Sequence, residues 1–338
     1  MPKPSTTLIA LLLFTPGFAG LASESATVAS LDGVRPDATV MSLPPVVDHS
    51  DPVEPLASVA PVIEIDPEPS LETQQLEKQM RDLEQVEAMC ERISGKLASV
   101  SYDECATLEF KLSGHESVQG SPLLVKEYPP LASRKPQARI LVVGGTHGDE
   151  LSSISVVFKW MHTLEKHHSG LFHWRINPLM NPDGALQKKH QRTNANGVDL
   201  NRNFTTPDAE ADAALAYWRD RTKENSRRYP GPYPLSEPET VWLYEEIRDF
   251  KPDVVISVHA PYSLVDYDAP SRKNAPSQIG HLYKNLMGTY PGSLGNYAGI
   301  HLGVPVVTLE LPHAGIMPSR GQISHLWTDL VRWLIHNT

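Results

Sequence analysis

Apolar residues recur in two different rhythms along this chain. Leu76, Met80, Leu83, Val86, Cys90, Ile93 and Leu97 follow one another at steps of three and four, which predicts an amphipathic helix. From about Ser113 onward, short apolar runs replace that stripe. Arg139 to Gly144, Phe172 to Leu179, Asp253 to Val258 and Pro305 to Leu311 have the character of buried strands. Between and after them lie helical patterns at Leu151 to His167, Ser236 to Phe250, Gln278 to Tyr290 and Gln322 to His336. Ser236-Glu237-Pro238-Glu239 has the form of a capping box at the start of the second of these helices. Trp327 and Trp333 are assigned to the core side of the last helix, and His167-His168 to the C-terminal cap of the first. Such alternation predicts an α/β fold: a mixed, largely parallel central sheet flanked by helices on both faces.

The N-terminal third is of another kind. Lys3 precedes an apolar run from Leu8 to Phe14, and a Thr15-Pro16-Gly17 break then leads to small residues at Gly20 and Ala22. This is the pattern of a secretory signal peptide over residues 1–22, too short for the ~20 residues of a membrane span. The expected location is therefore periplasmic or secreted, with no membrane span in the mature protein. Residues 23–70 follow as an acidic, proline-rich linker: from 23 to 72 there are ten acidic residues and one basic residue, Arg35. They account for most of the formal charge of −10. An acidic balance of this size argues against a nucleic-acid partner. Residues 71–112 form a third segment, the amphipathic helix and the stretch around Cys105. That helix either packs on the following domain or supports weak self-association through residues 71–97. The two cysteines, Cys90 and Cys105, make no metal or redox motif. In an oxidising compartment they are either a disulfide or two buried thiols. Residues 113–338 remain as the catalytic region.

Ligands of α/β sheets gather beyond the carboxyl ends of the strands, and those ends carry chemistry here. The run Ile140 to Val143 leads into Gly144-Gly145-Thr146-His147-Gly148-Asp149-Glu150, and Val254 to Val258 ends in His259. His147, Glu150 and His259 are a sufficient ligand set for a catalytic zinc with an open position. A lone H-x-x-E is common by chance, however, and is equally read as an ordinary helix start. Glu310 lies inside the apolar run Pro305 to Leu311, where a carboxylate is costly unless it has a partner or a task. Such a group can take a proton from an attacking water and pass it to a leaving amine. In the polar stretch Arg192 to Phe204, Arg192 is a candidate for oxyanion stabilisation, and Asn201 with Arg202 for holding a substrate carboxylate. By composition alone this stretch is also a plain polar loop.

Taken together, G-G-T-H-G-D-E, N-P-D-G (Asn181 to Gly184), N-A-N-G-V-D-L-N-R-N-F, S-E-P-E-T (Ser236 to Thr240), S-V-H (Ser257 to His259) and T-L-E-L resemble the zinc carboxypeptidase family. The likeness is strongest to its bacterial murein peptide amidase A branch and runs from about Ser113 to the C-terminus. It implies a mixed eight-stranded sheet and one zinc per chain, held by His147, Glu150 and His259. It further implies Glu310 as the general base, Arg192 as the oxyanion arginine and Asn201-Arg202 as the carboxylate clamp. Tyr290 is only a rough counterpart of the family's substrate-covering tyrosine. The expected substrate is a peptide or muropeptide, cut at an amide next to a free carboxylate, in peptidoglycan the bond between γ-D-glutamate and diaminopimelate. A general metallocarboxypeptidase or a zinc N-acyl-amino-acid deacylase would share this residue set. A catalytically inactive wall-binding module would have no need of it.

Overall fold

The computed structural model describes residues 70–205 and 212–338; the expected signal peptide and nearly all of the linker lie outside them. The described chain opens with helix α1 (Leu71–Lys96) and the short α2 (Tyr102–Ala106), followed by strands β1 (Lys111–Glu116), β2 (Pro122–Tyr128) and β3 (Arg139–Val143). Helix α3 (Leu151–His167) leads to β4 (His173–Asn177), α4 (Pro182–Leu186), α5 (Ala213–Thr222) and α6 (Pro238–Phe250). Strands β5 (Val254–His259), β6 (Leu264–Asp268), β7 (Gln278–Ile279), β8 (Leu282–Lys284) and β9 (Val306–Glu310) follow, and α7 (Arg320–Asn337) ends the chain.

Among the described residues nine strands form one sheet in the order β1-β2-β4-β3-β5-β9-β6-β8-β7, one strand more than the resemblance implied. Its centre, β4-β3-β5-β9, is parallel, while β2 joins β4 and β6 joins β9 in antiparallel fashion. These four central strands are the four that the short apolar runs predict. Three of them, β3, β5 and β9, are buried along nearly their whole length and have little polar side to alternate with, whereas β4 leaves His173 and Arg175 half-buried.

Side chains alternate across the pleat and divide the core in two. Ile140 and Val142 pack with α3 and α7 on one face, together with Ile256, Val307 and Leu309. Leu141 and Val143 face the other way, against Trp242, Leu243 and Ile247 of α6. Trp327 is partly buried between the rings of Trp160 and Trp174, at 5.7 and 5.2 Å.

Several sequence expectations need correction. Gln278 to Tyr290 is not a helix but carries β7, β8 and a loop. Gly280 and Gly288 both take left-handed backbone angles, and at Gly280 a Cβ would press on Leu326. A continuous helix would lose both turns. No capping box forms at Ser236: Glu237 precedes α6 without a side-chain cap, and the Ser236 hydroxyl donates to the Glu237 carboxylate instead. Capping boxes occur at Ser101/Glu104 and Ser319/Gln322. The helical stripe of α1 is only half used. Val86, Met89, Cys90 and Ile93 are buried in the core shared with the sheet, whereas Leu76, Met80 and Leu83 are exposed. Cys90 and Cys105 are joined as a disulfide, which closes the choice left open by the sequence. Among the described residues no helix is long and apolar enough to cross a membrane.

Candidate active site

The loop after β3 can turn sharply because Gly145 adopts a positive φ of 62°, where a side chain would also meet Ile154 and Leu179. The turn brings His147 under the start of α3 and sets Glu150 as the residue that precedes it. Parallel pairing of β5 with β9 then places His259 directly beside Glu310 at the ends of their strands.

These three pieces converge. Nδ1 of His147 lies 2.8 Å from Glu150 Oε1, and Nδ1 of His259 lies 2.9 Å from Glu150 Oε2. The two Nδ1 atoms are 3.1 Å apart. One ligand atom from each residue falls within a 4.8 Å span, and all three residues are buried. The nitrogens that face away are also held: His147 Nε2 is 3.1 Å from Asp199 Oδ1, and His259 Nε2 is 2.9 Å from Ser257 Oγ. Two histidines fixed from behind, with a carboxylate between them, are the donor chemistry of zinc.

Electrostatics favour a cation at this point. Burial alone would raise the Glu150 carboxyl, yet the charges and hydrogen bonds of His147 and His259 outweigh it and hold the group far below its ordinary range. Burial and Arg192 oppose a proton on His147, but Glu150 and Asp199 win and raise it. Asp199, fully buried, is held well below the usual carboxylate range against its own burial by Arg192 and His147.

The remaining predicted residues line one cavity of about 360 Å³ next to the triad. Arg192 donates from Nε to Asp199 at 3.0 Å and from Nη1 to Glu150 at 3.3 Å. Asn201 spends its side-chain oxygen on the backbone amide of Leu294, which leaves its NH₂ as a donor. Arg202 donates to the Asn201 carbonyl, and its guanidinium stands 4.6 Å from the Tyr290 ring centroid. Tyr290 in turn meets Tyr217 edge-on at 5.5 Å. Glu310 is buried, and the backbone N–H of Tyr262 approaches it at 3.4 Å. Burial, helped by Glu150 and opposed by His259, pushes its carboxyl above the ordinary value.

Two supporting residues were not singled out from the sequence. Asp199 sits inside the quoted N-A-N-G-V-D-L-N-R run, so the signal was an acid two places before Asn201. Ser257 opens S-V-H and needed only the period-two reading of a strand, which puts it on the same face as His259.

Comparison with known proteins agrees with this geometry. Residues 102–301 match the sequence pattern of the zinc carboxypeptidase family, and this chain belongs to that family of zinc-dependent hydrolases. It is 30% identical over 228 residues to murein peptide amidase A of Escherichia coli, an alignment covering 64% of this chain and 87% of the relative. With murein peptide amidase A of Vibrio campbellii it shares 31% over 207 residues, covering 58% and 77%. Carboxypeptidase A from Helicoverpa armigera has the same fold, with a TM-score of 0.52 at 17% identity over 77% of this chain and 80% of that one.

Proposed function

We propose that this chain is an exported zinc amidase that hydrolyses an amide next to a free carboxylate, the γ-D-glutamyl–diaminopimelate bond of peptidoglycan stem peptides. One observation carries the reading: His147, Glu150, His259, Glu310, Arg192, Asn201 and Arg202 all border a single cavity. The relatives named as murein peptide amidases supply the substrate class. Export rests on the leader pattern of residues 1–22, and the 23–70 spacer, the 71–112 segment and the 113–338 catalytic region belong to the same proposal.

One zinc held by His147, Glu150 and His259 would polarise the scissile carbonyl and acidify the attacking water. The protein's own groups divide the remaining work. Arg202 and the Asn201 NH₂ hold the substrate's carboxylate, and the Tyr290 ring steadies the Arg202 guanidinium. Glu310 takes a proton from the attacking water and returns it to the leaving amine. Its raised carboxyl suits a base that must also release the proton. Arg192 places its charge beside the triad, where the carbonyl oxygen becomes negative.

The test is direct. Purified protein with equimolar zinc is incubated with L-alanyl-γ-D-glutamyl-meso-diaminopimelate, and the products are identified by mass. Free diaminopimelate with L-alanyl-D-glutamate is the expected pair. Cleavage only of ordinary C-terminal α-peptide bonds, or only of N-acyl amino acids, would replace this reading with one of the two neighbouring activities.

A further inference from the structure

The cavity floor is one face of three adjacent strands, and their register sorts it into rows. His259 of β5, Glu310 of β9 and Leu264 of β6 stand side by side. Ser257, Thr308 and Asp266 form the next row, and Val255, Val306 and Asp268 the one after. Directly paired residues point to the same side of a sheet, so both aspartates share the face that carries Glu310. At ~3.4 Å per residue, Asp266 stands roughly 7 Å along the floor from the Glu310 row, and Asp268 roughly twice as far.

Both aspartates line the cavity. Asp266 is only 3% exposed, and its Oδ1 accepts the backbone N–H groups of Tyr267 at 2.8 Å and Met287 at 3.1 Å. Oδ2 accepts from no group among the described residues. A nearly buried carboxylate thus keeps one oxygen for whatever enters the cavity, a costly arrangement unless a partner arrives. Asp268 accepts no hydrogen bond from the described residues either. The chain passes over it at Gly295, where a Cβ would collide with the Asp268 carboxylate, so the glycine keeps that acid's place in the cavity. Burial lifts both carboxyls, and the neighbouring charge of Asp266 adds to the rise at Asp268, which reaches about 7 despite the pull of Arg272. A cation between them would relieve both effects.

We propose that the residue released by the reaction carries a side-chain ammonium group, received by Asp266 and backed by Asp268 while Arg202 and Asn201 hold its α-carboxylate. The inference rests on the amidase reading and names the specificity-determining residues of the same cavity. Its length fits. Five bonds of about 1.5 Å separate the α-carbon from the side-chain nitrogen of lysine or diaminopimelate, a reach of roughly 6 Å in extended form. That reach matches the step from the Glu310 row to Asp266. The uncharged neighbours Ser257 and Thr308 share Asp266's row and offer no competing charge.

The experiment reads binding without turnover. Zinc-loaded protein carrying Glu310→Gln is titrated calorimetrically with L-lysine, meso-diaminopimelate and L-norleucine. Both amines are expected to bind at least about tenfold more tightly than norleucine, as for a charge-assisted hydrogen bond in a buried site. Asp266→Asn, which keeps the Oδ1 acceptor for the two amides, should bring that ratio to within about twofold, and Asp268→Asn should lower it by a smaller factor. Equal binding of norleucine and lysine, or no measurable binding of any of the three, overturns the assignment without recourse to the variants. A tenfold amine preference in a protein that leaves the tripeptide uncut would sustain the pocket and overturn the bond proposed above. Tripeptide cleavage with no amine preference would do the reverse.

Discussion

Asp199 Oδ1 lies 3.1 Å from Nε2 of His147, while its other oxygen accepts from Nε of Arg192 at 3.0 Å. One buried carboxylate therefore orients a metal-ligand candidate and an oxyanion-arginine candidate together. A carboxylate bonded to the far nitrogen of a ligating histidine fixes the tautomer and the direction of the nitrogen that faces the metal. Asp199→Ala should weaken zinc binding by about 10–100-fold, and Asp199→Asn by less, because the amide oxygen can still accept from the ring. Chelator competition at fixed pH measures both. Wild-type affinity in the alanine variant would remove Asp199 from the site's support.

Glu310 separates binding from chemistry. It stands beside His259 and lines the same cavity, and its carboxyl makes no hydrogen bond to either histidine that a neutral amide would break. Glu310→Gln should retain zinc and melting temperature while turnover falls by about 10²–10⁴-fold, the contribution of a positioned general base. His147→Ala and His259→Ala should instead lose most of the zinc, since each would remove one of the three proposed protein ligands. Elemental analysis and single-turnover kinetics on the same preparations check this division. Undiminished turnover in the glutamine variant would place the base elsewhere.

The elements that were legible in the sequence are the central strands, where most side chains are buried. Strands β3, β5 and β9 announce themselves as apolar runs because nearly all of their side chains are buried, whereas β4 alternates Trp174 and Ile176 with the half-buried His173 and Arg175. His147, Glu150, His259 and Glu310 sit at the ends of those strands, so the site's centre came with them. The flanking strands did not. In β6, Val265 faces the core while Asp266 faces the cavity, and that alternation acquires meaning only once pairing with β9 is known. Residues 278–290 misled because Ile279, Leu282 and Leu286 are spaced as on a helix, while the left-handed turns at Gly280 and Gly288 weigh more. The acid pair of the cavity was hidden for the same reason as β6: register is a tertiary fact.

Glu239 predicts a pH dependence of stability. It is fully buried in the first turn of α6, where it accepts from the backbone of Val118 and the side chain of Asn194. Burial outweighs those bonds and raises its carboxyl to about 7. A carboxyl whose folded pKa exceeds its unfolded value binds more protons in the native state. Its contribution is therefore complete below the unfolded value near 4.5 and is lost as pH rises through about 7. The full span is on the order of 3 kcal/mol. Glu239→Gln should flatten this part of the profile, so that the variant gains stability relative to the parent between pH 5 and 8. Denaturant titrations at the two pH values measure it, and parallel profiles for the two proteins would refute the assignment.

The last prediction concerns how α1 is attached. Cys90 and Cys105 are both fully buried, and their disulfide ties the C-terminal half of α1 to α2 across a separation of 15 residues. Closing a loop of that length is worth ~3 kcal/mol in the chain-entropy model. The same half of the helix inserts Val86, Met89 and Ile93 into the core, whereas Leu76, Met80 and Leu83 stay more than half exposed. Ile93→Ala should cost about 2–5 kcal/mol, and Leu76→Ser should stay within about 0.5 kcal/mol. Neither cysteine touches the cavity, so Cys90→Ala with Cys105→Ala should lower stability by a few kcal/mol and leave kcat/KM unchanged below the melting transition. Denaturant unfolding followed beside the amidase assay tests all three. A loss of activity in the folded double variant would show that α1 sets the geometry of the zinc site, and a large cost at Leu76 would show that the outer half of the helix has a partner.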